Sequence, residues 1–288
     1  MLFYKYLKIS LLNFLNLSKK GAKRLFRPDS LIFFIICFPL TTFSQVNEVD
    51  VNGLRQGQWQ KKYPDGTLIY KGEFKNDKPV GNWTRYYESG QVKAKIHYVE
   101  DTDSAFVIFF DKRGDKISEG HYFNEKKEGK WTYFSGNKII SEENFINGRK
   151  NGVSRKYYPS GEIFSETEWK DGKKEGKYQA FYQTGEPYMQ CRYSNNMRNG
   201  LCLIRFKNGR IEMEANYLNN LRDGEWKFYN EGGDLLYTLK YDKGKLLNPE
   251  VRDSIDNLNM QQLEKNKHLI PDPEKFIQNP SEYIMKRQ

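Results

Sequence analysis

A glycine stands at residues 57, 81, 129, 152, 176, 200 and 224, and Ala105 fills the one gap. The step is 24 residues throughout, apart from a single 23 between Gly129 and Gly152. A second glycine follows most of these anchors nine residues later, at Gly66, Gly90, Gly114, Gly161, Gly185, Gly209 and Gly233; in one copy the interval is seven, at Gly136. A fixed period of this length marks a stack of supersecondary units, each of which buries its apolar side only against its neighbours. The architecture follows from the period before any single residue is interpreted.

Superimposed, the copies read G-x-W-x-x-Y-Y-x-x-G-x-I, then an aromatic seventeen residues after the anchor (sixteen in the copy that begins at Gly129), then a polar turn. That aromatic is Phe74, Tyr98, Tyr122, Phe145, Trp169, Tyr193, Tyr217 or Tyr241. The segments between turns hold 6–8 residues rich in aromatic and β-branched types, which predicts strands. "PDG", "ESG", "PSG", "QTG" and "KNG" supply turn glycines at one end, and "NG", "ND", "DG" and "NN" supply turns at the other. The expectation is an all-β chain: an elongated antiparallel meander of about eight hairpins of 24 residues, or about sixteen strands, with a short helical C-terminal tail. At roughly 4.8 Å per strand the sheet would run on the order of 75 Å.

The copies vary independently, so the register between them can be read from volumes. Placing each +17 aromatic opposite the next anchor (Phe74 with Gly81, Phe145 with Gly152, Trp169 with Gly176) makes the residue two before it face the +2 position of the next copy. The pairs are then Gly72/Trp83, Gly120/Trp131, Ala215/Trp226, Thr167/Tyr178, Ile96/Val107, Glu143/Ser154 and Cys191/Cys202. Large meets small and medium meets medium, as direct cross-strand neighbours require. The two cysteines thus fall opposite each other. They can form a structural disulfide, serve as a redox pair, or remain two buried thiols in place of a Trp/Gly pair.

By the two-residue period, positions +2, +6 and +17 share one face. Tyr86, Phe110, Phe134, Tyr157, Phe181 and Tyr229, all at +5, point the other way. One face can curl to form a groove. The second aromatic row is either a stacking ladder or a surface for a partner, and these six residues are the candidate binding site.

The formal charge of +10 is concentrated at one end. Residues 1–30 carry +6 of it, residues 31–44 carry none, and the remaining +4 is spread over the repeats, with Lys and Glu interspersed. No basic stripe is formed, which argues against a nucleic-acid partner. "LIFFIICFPLTTFSQ" (31–45) is an apolar run behind a basic segment, too short for a membrane span and suited to a signal peptide over 1–44, cleaved between Ser44 and Gln45. A retained N-terminal anchor is the alternative. The expected compartment is outside the cytoplasm: periplasm, outer-membrane surface or secreted. There an even pair of cysteines is at home.

The repeat domain is expected over 45–248, ended by Pro249. Val251, Ile255, Leu258 and Leu263 lie near helical spacing, so 249–288 should be a helical cap over the last strand or a docking tail. The three histidines (97, 121, 268) are scattered, and no nucleophile elbow, phosphate loop or Cys-x-x-Cys is present in the sequence. No catalytic residue, metal ligand or cofactor is expected.

The G-x-W-x-x-Y-Y-x-x-G copies resemble the MORN repeat, in its shorter bacterial variant, over roughly 52–248. The resemblance implies a sheet of β-hairpins used as a scaffold, without catalytic residues. Bacterial proteins of this look include a YwqK-like antitoxin group, and other MORN proteins associate with membrane surfaces or organise protein complexes. The expected function is therefore a non-catalytic, exported scaffold that binds a protein partner through its aromatic face or groove. The alternatives are an antitoxin or immunity protein bound to a toxin, and a binder of membrane surfaces or glycans. Ala105-Phe106-Val107 and Gly200-Leu201-Cys202 depart from the repeat pattern.

Overall fold

The computed structural model describes residues 46–267; the expected signal peptide, the cleavage point and residues 268–288 lie outside them. One open sheet holds twenty strands. Four of these are two-residue pieces: β1 (Glu48–Val49), β10 (Arg149–Lys150), β15 (Met197–Arg198) and β20 (Lys245–Leu246). The other sixteen run from β2 (Arg55–Lys62) to β19 (Leu235–Asp242), each antiparallel to the next in sequence, as a meander.

The turns hold the register. Asn76-Asp77, Asn195-Asn196 and Asn219-Asn220 have both residues at positive φ (51° and 64°, 49° and 70°, 50° and 67°). That is the geometry of the two-residue hairpin turn whose twist matches the strands, and Asn tolerates it. At the opposite end the tyrosine or phenylalanine at +6 accepts from the +9 glycine and donates to the residue after it. In one such turn Gly66 N–H bonds Tyr63 O (3.0 Å) and Tyr63 N–H bonds Thr67 O (2.8 Å). Position +6 thus belongs to the turn, just beyond a register shift at +4/+5, and its ring packs on a residue of the following strand, Tyr158 on Phe164 at 5.2 Å and Tyr182 on Tyr188 at 5.1 Å.

The volume-matched register between copies is present, with a correction at the anchor. Gly120 pairs with Trp131, Ala215 with Trp226, Thr167 with Tyr178 and Ile96 with Val107. The +17 aromatics do not face the next anchor: Phe74 pairs with Pro79, Phe145 with Lys150 and Trp169 with Lys174. They pair instead with the anchor of their own hairpin, Phe74 with Gly57 and Trp169 with Gly152. Between copies the anchor strand carries two extra residues, the glycine and its successor. Gly81 takes φ +60° to make this bulge, a conformation that an L side chain resists.

The exception confirms the cause. β5 (Val92–Tyr98) and β6 (Ser104–Phe110) pair without a shift, so Tyr98 does face Ala105. This is the one copy whose anchor is not glycine, and the residues not spent on a bulge lengthen the turn around Asp101 instead.

One line of side chains runs through the whole sheet. Each residue at +15 (+14 for Glu143) meets the +2 residue of its own copy and, except for Leu239 at the end, that of the next. The file reads Trp59, Gly72, Trp83, Ile96, Val107, Gly120, Trp131, Glu143, Ser154, Thr167, Tyr178, Cys191, Cys202, Ala215, Trp226 and Leu239. It forms the floor of the buried face, called face A. Two apolar clusters lie along it, one around Val107 and Trp131 and one around Cys191, Ala215 and Trp226. Ala215 is wholly buried, and Trp131 and Val107 are each 1% exposed. The indole N–H of Trp83, Trp131 and Trp226 donates to Glu73 O, His121 O and Asn216 O at 3.1, 3.0 and 2.8 Å. Those carbonyls sit beside the bulge, where the ladder is disrupted and an acceptor is left over.

Helix α1 (Pro249–Lys265) follows the last strand piece. Val251 packs on the terminal apolar cluster and Ile255 is half-buried, while Leu258 and Leu263 are exposed. Only its first turns therefore lie on the sheet. Asn248 leaves the helix N-terminus uncapped by its side chain and extends the ladder, donating to Thr238 O and accepting from Lys240 N–H.

Candidate functional site

Face B, opposite the file, carries the six aromatics expected to bind. Tyr86, Phe110, Tyr157, Phe181 and Tyr229 each end their strand, and Phe134 stands one before the end of its own. All six are half-buried. They form a row, but among the described residues no close ring pair joins two of them, so no stacking ladder exists. Two copies are two strands apart, about 9.6 Å, too far for rings to touch. Their neighbours are charged instead. Lys95 Nζ lies 5.8 Å from the Phe110 ring and Lys116 Nζ 4.1 Å from that of Phe134. The tyrosines at +6 tie successive copies at this rim: Tyr87 OH donates to Phe110 O (2.8 Å), Tyr158 OH to Phe181 O (2.8 Å) and Tyr182 OH to Arg205 O (2.6 Å).

Face B is otherwise polar and ion-paired. Lys116 meets Glu119 at 2.8 Å, Lys130 meets Glu142 at 2.6 Å and Arg155 meets Glu166 at 2.7 Å. Tyr157 OH donates to the Glu142 carboxylate at 2.9 Å. Burial works against the Glu142 charge, but the bonds from Lys130 and Tyr157 outweigh it and hold the carboxyl below its usual range. The Tyr157 hydroxyl is pushed up to about 12, first by burial and then by the carboxylate it serves.

The copy without an anchor glycine breaks this pattern. Phe106 and Ile108 of β6 point to face B and, with Asn82, Thr84, Lys95 and His97, line a shallow groove of about 230 Å³. Phe106 packs on His121 with ring centroids 4.9 Å apart, and His97 Nδ1 lies 2.9 Å from Asn82 Oδ1. Phe110 continues this apolar strip to the rim. The signal was present in "AFVIFF", which is apolar in both phases of the two-residue period and so cannot hide all its side chains on one face.

On face A, Cys191 and Cys202 are joined as a disulfide, with Cα atoms 4.3 Å apart. A second feature of this face escaped the sequence reading. A cation two residues before the anchor lies over the aromatic rings: Arg55 over Phe74 at 3.8 Å, Lys127 over Trp131 at 4.1 Å, Lys150 over Trp169 at 4.8 Å and Arg198 over Tyr217 at 4.2 Å. These contacts close the aromatic rim with charge, and burial lowers the Lys127 ammonium from its ordinary value. Among the described residues no group of three His, Cys, Asp or Glu side chains is placed to hold a metal ion.

The fold and both faces define a single-sheet β-hairpin repeat protein. Four segments, 55–76, 79–100, 150–171 and 222–243, match the family described as MORN repeat variant. These four copies are MORN repeats of that variant form; each matched segment begins at the position two before the anchor. Comparison with curated proteins gives no match. Among solved structures, the chain is similar to the GtfA/B complex at 15% identity over 31% of this chain and 18% of that one, with a TM-score of 0.24. A mutant S. aureus TarM gives 14% identity over 44% of this chain and 21% of that one, with a TM-score of 0.21. The chain therefore spans about a fifth of the length of either.

Proposed function

We propose that this repeat scaffold is non-catalytic and exported, and that it binds a protein partner through face B. The observation that supports the reading is the contrast between the faces. Face A covers its rings with its own file, cations and disulfide, whereas face B presents the +5 row and the Phe106–Ile108–Phe110 strip on a stiff, ion-paired sheet. A rigid surface that combines aromatic anchors with a polar surround suits a protein interface. The basic and apolar segments before Gln45 and the single cysteine pair fit an oxidising compartment.

The test is capture of the tagged full-length chain from the envelope fraction of the cells that make it, beside a Phe106→Ser/Ile108→Ser variant. The expected result is one stoichiometric protein held by the natural chain, lost by the variant, and a mature N-terminus at Gln45. Equal retention by the variant would remove face B from the reading. An uncleaved cytoplasmic chain bound to a toxin would replace the reading with that of an antitoxin.

A further inference from the structure

The file on face A turns polar at its middle. Glu143, Ser154 and Thr167 are consecutive there, between Trp131 on one side and Tyr178 on the other. Lys156 also occupies the +4 position that holds Phe109, Tyr133 and Phe228 in other copies. The result is a cleft of about 380 Å³ between the two apolar clusters, floored by Ser154 and Thr167 and walled by Phe164, Trp169 and Tyr178.

Two buried atoms in this cleft have no bonding partner among the described residues: Ser154 Oγ and Trp169 Nε1. The other four tryptophans all donate to main-chain carbonyls, Trp59 to Gln56 O at 3.0 Å among them. An unsatisfied buried donor costs the full desolvation of the group, so a site that keeps two such atoms side by side is built to bond something else. The charge is also unbalanced. Lys150 pairs with Glu143, but Lys156 and Lys174, which line the same cleft, meet no carboxylate among the described residues.

We propose that this cleft binds an acidic saccharide. Lys156 and Lys174 take its carboxylate. Ser154, Thr167 and the Glu143 carboxylate bond ring hydroxyls, and Trp169 Nε1 donates to a sugar oxygen. The aliphatic ring face lies on Tyr178 and Phe164. A mixed set of donors and acceptors on one side and aromatic walls on the other matches a polyol with an apolar face, and the spare lysines select the acidic form. A bare anion would use the lysines and leave the rings and hydroxyls idle. The site is on the opposite face from the proposed protein interface and stands independently of it.

The test is calorimetric titration of the full chain with a trisaccharide of galacturonic acid, its methyl ester, and inorganic phosphate. The acid should bind, and the ester and phosphate should bind at least about tenfold more weakly. Ser154→Trp, which fills the cleft, should abolish binding; because its indole would face Glu143 where sibling copies offer glycine or alanine, its melting curve is recorded beside the titration. Lys156→Gln, at a lysine that lines the cleft and lies over no ring among the described residues, should weaken binding about tenfold without changing the melting temperature. No binding of the acid, equal binding of the ester or of phosphate, or full binding by the Ser154→Trp variant would each overturn the proposal.

Discussion

Gly120 shows how little room a member of the central file has. A Cβ built on it would lie 2.5 Å from the Trp131 ring, and one on Gly72 would lie 2.1 Å from that of Trp83. Real side chains do not approach so closely, so the indole must leave its place. Gly120→Val should therefore destabilise the protein by about 3 kcal/mol, although valine favours strands. Urea unfolding of the two proteins measures this, and an unchanged midpoint would mean that the indole is not fixed. At this scale the sequence was informative where volume was the code: the Gly/Trp and Cys/Cys pairs are legible because size complementarity needs no knowledge of backbone path. The cations over the rings were not. Arg55, Lys127, Lys150, Lys174, Arg198 and Arg222 recur two before the anchor, but lysine is dense everywhere in the chain. The bulge that sets each of them against a ring leaves no separate mark.

Within a hairpin, the bulge and the turn compete for the same residues. A glycine at positive φ reads the same in either setting, which is why the anchor seemed to face the preceding aromatic when it stands beside its own. Ala105 resolves the ambiguity only once the structure is seen, since its copy alone has a straight joint and a longer turn. The disulfide belongs to this scale as well. It closes a loop with a sequence separation of 11, crossing one turn. On loop entropy, Cys191→Ala/Cys202→Ala should cost about 2–3 kcal/mol and leave the hairpins intact. The check is equilibrium unfolding of both forms beside mass analysis for a reducible cross-link. Identical stability with two free thiols in the mature protein would remove the bond from the account.

Along the whole sheet, stability is a sum over neighbours rather than the property of one core. The two apolar clusters are separated by the polar stretch from Glu143 to Thr167, which offers less burial to hold its strands. Hydrogen exchange should therefore be faster for the strand amides of 141–169 than for those around Trp131 and Ala215, and should reach its full extent there at lower urea. Uniform protection from end to end would show that the sheet opens as one unit. The order of the meander was legible from the period and the turn residues, but the bulge that shifts its register at each anchor was not. The candidate interface was legible only as a row of residue numbers, because where a ring finds its neighbours depends on strand spacing and on charges brought from other copies.

The file from Trp59 to Leu239 also limits how such a chain can change its length over generations. Every inner member has two neighbours, so what is inherited is the junction between copies rather than the copy itself. Duplicating the unit that holds Trp59 and Gly72 would place a glycine before another tryptophan, a junction the protein already has between Gly72 and Trp83. Duplicating the unit that holds Cys202 and Ala215 would set a second cysteine beside Ala215, leaving one thiol without its mate. Growth by internal copying is thus open at the tryptophan end of the molecule and closed at its cross-link.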